Sequence, residues 1–73
     1  MRKETLIAPV SGIVSQINVH SGSKVVEGQE ILSLELMKLF YGVTAGLSGK
    51  LNLIVSEGEF VAEGQELGII YES

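Results

Sequence analysis

Apolar residues recur at every second position in several short windows of the chain. In Ile31-Leu32-Ser33-Leu34-Glu35-Leu36, the residues Leu32, Leu34 and Leu36 point one way and Ser33 and Glu35 the other. Side chains two apart on a strand share a face, so this period predicts a strand with one buried and one wet side. A rougher alternation sets Ile13, Ser15 and Ile17 against Val14, Gln16 and Asn18, and the pattern returns around Leu51-Asn52-Leu53. No long window carries apolar spacing of three and four with a cap at each end, so helices are not expected. The expected strands are Thr5–Ala8, Gly12–Val19, Lys24–Val26, Glu30–Leu36, Leu39–Thr44, Gly49–Val55, Phe60–Ala62 and Glu66–Tyr71. Pro9 falls at a strand end, where its missing N–H costs little.

The chain also repeats itself. Glu27-Gly28-Gln29-Glu30 recurs letter for letter as Glu63-Gly64-Gln65-Glu66, and Ser11-Gly12 recurs as Ser48-Gly49. Val19, Gly22 and Val25 match Val55, Gly58 and Val61. The shift is 37 at Ser11-Gly12 and 36 afterwards, so one residue drops out of the second copy. Each half is expected to form a small sheet with one apolar face that it cannot bury alone. Two copies stacked face to face can bury it, which predicts an all-β flattened barrel or sandwich of two four-stranded antiparallel sheets with pseudo-twofold symmetry. Gly28 and Gly64 stand at matching turns, where a positive φ suits glycine alone.

Composition narrows the picture. At 73 residues the chain is one small domain, and residues 1–73 are expected to form a single unit. A core of this size rarely supplies more than about 3–5 kcal/mol of net stability. With no cysteine and one histidine, neither a disulfide nor a structural metal can add to it. Stability must come from packed aliphatic side chains, or from locking the two ends together. The formal net charge is -4, and Arg2-Lys3 is the only adjacent basic pair, which argues against nucleic acid or an anionic membrane as partner. No apolar stretch reaches the length of a transmembrane helix. A cytoplasmic protein is the expectation.

Between the two copies lies Glu35-Leu36-Met37-Lys38-Leu39-Phe40, where clean alternation stops. The break places Met37 and Lys38 at a hairpin tip, which exposes the lysine to a large enzyme. Here the chain resembles the biotinyl and lipoyl carrier domains, two quasi-repeated halves joined by a hairpin with a modified lysine at its turn. Glu35-Leu36-Met37-Lys38-Leu39 is similar to the Glu-Ala-Met-Lys-Met of biotin carriers. Ala8-Pro9-Val10-Ser11-Gly12 is similar to their Ala-Pro-Met-Ser-Gly, and Val25-Val26-Glu27-Gly28-Gln29 to their Val-Lys-Lys-Gly-Gln. The resemblance runs from Ile7 to Tyr71 and is closest to the biotin carboxyl carrier domains. Leu36 and Leu39 depart from that pattern, where biotin carriers usually have alanine and methionine. Lipoyl domains usually place aspartate before the lysine and alanine after it, and Met37 and Leu39 match neither.

The resemblance implies a barrel-sandwich hybrid fold and a covalent biotin, joined by a ligase to Lys38 as an amide, with Met37, Leu39 and Glu35 as the flanking recognition residues. It implies a non-catalytic module that carries carboxybiotin between the biotin carboxylase and carboxyltransferase subunits of a carboxylase or decarboxylase. Two other functions compete: a lipoyl carrier for acyl or aminomethyl transfer, and an unmodified interaction module on the same scaffold. The thumb insertion of some biotin carriers has no room, since only Val19 to Ser23 separates the second and third strands. Plainer roles also stand beside each residue. Met37 can be a core gap-filler and Glu35 a solvated strand residue. His20 lacks a ligand partner, so no metal site is expected. With no aspartate and one histidine, a Ser-His-Asp arrangement is impossible. Glu57, Glu59, Glu63 and Glu66 read as a solvated acidic face.

Overall fold

The structure is a computed structural model that describes residues 1–73. It contains eight strands: β1 (Lys3–Ile7), β2 (Gly12–Ile17), β3 (Lys24–Val25), β4 (Glu30–Leu36), β5 (Leu39–Thr44), β6 (Gly49–Leu53), β7 (Phe60–Val61) and β8 (Glu66–Glu72). They form two antiparallel four-stranded sheets, ordered β1-β8-β6-β3 and β5-β4-β2-β7. No ladder joins the sheets, so the fold is a flattened sandwich without barrel closure. No helix is long and apolar enough to cross a membrane.

Each sheet takes two strands from each half of the chain, where the repeat suggested one sheet per half. Exchanging β1 with β5, β2 with β6, β3 with β7 and β4 with β8 converts one sheet order into the other. Hydrogen bonds obey the same exchange. Glu27 N–H donates to Ser48 Oγ and Glu63 N–H to Ser11 Oγ, both at 2.9 Å. Val26 and Ala62 N–H donate to Gln29 and Gln65 Oε1. These last bonds turn the chain and end β3 and β7 one residue earlier than the alternation predicts. The Glu-Gly-Gln turns also require Gly28 and Gly64, whose φ values are 90° and 85°.

Each half feeds both layers, so neither half can bury its apolar face without the other. Ile31, Leu32, Leu34, Leu51, Leu67 and Ile70 are fully buried between the layers. Adjacent residues Ile31 and Leu32 both point inward because the β4–β5 register slips between Glu30 and Leu32. The β1–β8 register slips at the equivalent place, which turns Leu67 inward. A third slip, between Val14 and Gln16, leaves Ser15 unpaired in β2. Its counterpart β6 has no slip against β8. Ser15 is thus the residue missing from the second copy. This bulge divides the alternation of β2: before it Val14 enters the core and Ile13 faces outward, whereas after it Ile17 packs against the core.

Candidate functional site

The β4–β5 hairpin is the tightest turn in the fold. Leu36 pairs with Leu39, so only Met37 and Lys38 make the turn. Both take positive φ, 53° and 65°, and they are the only non-glycine residues to do so. This is the left-handed geometry of a type I′ hairpin, which matches strand twist and favours Asn-Gly. A side chain in this region costs roughly 1–2 kcal/mol per residue. Strain of this kind concentrates at working sites, held by well-paired surroundings. Here the long ladders of β4 and β5 hold it.

The turn projects its side chains into solvent. Met37 is 88% exposed, which rules out the core-filling role, and Leu39 is 59% exposed. Lys38 is exposed and takes part in no side-chain hydrogen bond or ion pair. Glu35 is half-buried on the outer face of β4, paired across the strands with Phe40 on one side and Ile13 on the other. The hairpin therefore collects Glu35, Met37, Lys38 and Leu39 at one end of the molecule.

Other candidate chemistry falls elsewhere. His20 is exposed in the β2–β3 turn, and no cluster of three His, Cys, Asp or Glu side chains forms a metal site. Glu57, Glu59, Glu63 and Glu66 are exposed. Glu57 accepts the Ile17 N–H, and Glu59 accepts the Ser56 N–H. A cavity of about 500 Å³ is lined by equivalent residues of both halves, such as Ile17 with Leu53 and Val19 with Val55, and excludes Lys38. It marks where the two matching turns meet. The only ion pair, Arg2 with Glu72 at 2.7 Å, joins the chain ends. Its hydrogen bonds hold the Glu72 carboxyl below the ordinary carboxylate range and raise the Arg2 guanidinium.

The fold is thus a two-layered sandwich whose one strained non-glycine turn carries Met37 and Lys38 into solvent. A family profile described as "Biotin-requiring enzyme", the biotin/lipoyl family, matches residues 4–70, and the chain belongs to that family. It is 42% identical over 64 residues to the mitochondrial propionyl-CoA carboxylase alpha chain of Mus musculus, covering 86% of this chain and 9% of that one. It is 41% identical over 64 residues to the mitochondrial methylcrotonoyl-CoA carboxylase subunit alpha of Arabidopsis thaliana, with the same coverage. The crystal structure of Kluyveromyces lactis urea carboxylase superposes with a TM-score of 0.86 at 25% identity, covering 97% of this chain and 6% of that one. The chain thus spans less than a tenth of each relative's length and corresponds to the small, non-catalytic carrier module of biotin-dependent carboxylases.

Proposed function

We propose that residues 1–73 form one biotin carboxyl carrier domain and that biotin is joined to Lys38. The observation that carries this reading is the position of Lys38, unpaired and exposed on the only strained non-glycine turn of a biotin/lipoyl-family sandwich. Similarity to propionyl-CoA, methylcrotonoyl-CoA and urea carboxylases favours biotin over lipoate. Attachment forms an amide between the Lys38 amine and the biotin carboxyl group, which removes one positive charge. Bound biotin supplies the site that accepts and releases a carboxyl group.

The chain's own residues do mechanical work in this scheme. The β4–β5 ladder keeps the turn rigid enough to be recognised, and the lysine stem stays free to swing. Tethering raises the effective concentration of the reactive ring at each partner site. The partners of this reading are a biotin protein ligase, a biotin carboxylase and a carboxyltransferase. Expression with a biotin ligase followed by intact-mass measurement tests it. One biotin adduct is expected on the wild type and none on Lys38→Arg. A lipoyl adduct in place of biotin, or an unmodified wild type, defeats the proposal.

A further inference from the structure

The pseudo-twofold supplies an internal control for the two outer faces. Lys24, Lys50, Tyr71 and Lys3 are direct cross-strand partners and form one exposed row across all four strands of the β1-β8-β6-β3 sheet. The equivalent row on the other sheet reads Phe60, Ile13, Glu35 and Phe40, with no cation. The fold itself therefore does not call for lysine at these positions. Yet the first row holds three of the four lysines in a chain of net charge -4. It sets Lys24 directly opposite Lys50, and like charges so placed destabilise a sheet. No carboxylate of the fold pairs with them. The only ion pair is Arg2 with Glu72, and the next outward row, Asn52, Ile69 and Thr5, bears no charge.

We propose that the Lys24–Lys50–Tyr71–Lys3 row is a docking surface for an extended acidic segment of a partner protein. Charge selects this occupant, because cations that repel one another gain most from a ligand that sets carboxylates between them. Spacing selects it over a point anion. Strands about 4.8 Å apart spread the row over roughly 14 Å, and an extended chain repeats its same-side carboxylates about every 7 Å. A concavity of about 380 Å³ beside the row, lined in part by Ser21, Lys50, Asn52 and Tyr71, adds neutral hydrogen-bond donors for the segment's remaining oxygens. A nucleic-acid backbone is disfavoured by the net charge of -4. The row lies one residue pair from the Arg2–Glu72 closure, on the sheet that does not contain the Lys38 hairpin. A partner held there leaves Lys38 free to reach a second protein, so retention and display use different faces. The assignment does not depend on what Lys38 carries.

Titration of the isotope-labelled, unmodified domain with an end-capped hexaglutamate peptide at low salt, followed by amide NMR shifts, tests the assignment. The amides of Lys24, Lys50, Tyr71 and Lys3 are expected to move together while that of Lys38 stays in place, and the affinity is expected to fall with added salt. Lys24→Gln and Lys50→Gln are each expected to weaken binding roughly threefold, as loss of an exposed ion pair does. Lys38→Gln lowers the net charge equally and is expected to bind within about twofold of wild type. The spectra of the variants establish that they fold. No binding, or equal weakening by Lys38→Gln, overturns the docking surface. Inorganic phosphate that moves the same amides as tightly as the peptide makes the row a point-anion site, and a single-stranded oligonucleotide that binds more tightly makes it a nucleic-acid site. Shifts of the row on concentrating the free domain assign it to a second copy of the chain. Each of these three results overturns the proposed occupant.

Discussion

Lys38 and Met37 hold a geometry that the β4–β5 ladder imposes against their own preference. Glycine adopts positive φ without a Cβ clash, so Lys38→Gly relieves local strain. Thermal unfolding of Lys38→Gly is expected to show a gain of about 1 kcal/mol, offset in part by the entropy of glycine, together with complete loss of labelling. A destabilised variant would mean that the lysine contributes native contacts and is not simply displayed. At this scale the sequence was informative about identity: Lys38 stands midway between two repeats, where alternation fails. It was silent on cost, because periodicity shows that a chain turns and not the hand of the turn. It also gave no sign that Phe60 and Phe40, twenty residues apart, share one row, since that depends on which strands become neighbours.

At the scale of elements, all eight strands were legible, because short alternating runs bounded by glycines leave little choice. β4 shows the clearest pattern, and Leu34 lies fully buried as its alternation requires. Leu34→Ala is expected to cost on the order of 2–5 kcal/mol in chemical denaturation. The facing of β2 could not be read, because the Ser15 bulge reverses the period halfway along the strand. That bulge also explains an asymmetry. Leu32 is fully buried opposite the bulged strand, whereas its equivalent opposite unbulged β6 is Gly68. A Cβ on Gly68 would sit 2.6 Å from the Asn52 carbonyl oxygen and 3.1 Å from the Leu53 Cα. Both obstacles are backbone and cannot rotate away, so Gly68→Ala is expected to destabilise the domain by about 1–3 kcal/mol. An unchanged denaturation midpoint would show that β6 can recede.

Over the whole molecule, the pseudo-twofold exchanges the Leu36–Leu39 tip with the pair formed by Glu72 and Arg2. The tip is closed covalently by Met37 and Lys38, and its counterpart is closed by charge. Glu72 accepts from the Arg2 backbone N–H and guanidinium, and the Glu72 N–H donates to the Arg2 carbonyl. Points exchanged by a twofold lie on opposite sides of its axis, so the chain ends leave Lys38 unobstructed along a body 37 × 20 × 18 Å in extent. The need to lock the ends was legible from the small size and the missing cysteines, whereas the pair that does it is a long-range contact without a sequence signature. Because the folded Glu72 carboxyl titrates below its ordinary value, the clasp is complete above that value and is lost as pH falls through the lowered one. Hydrogen-exchange protection of the Glu72 amide is expected to fall with acidification over that range, and to be weakened by salt because the pair is exposed. Protection that does not change with pH would show that the β1–β8 ladder alone secures the ends.

The displayed amine is tested most directly by peptide mapping of the wild-type domain after ligase treatment, since its four lysines compete as acceptors. The structure predicts biotin on Lys38 alone, with Lys3, Lys24 and Lys50 unmodified on the far sheet. Biotin spread over those three, or absent from Lys38, would contradict the account.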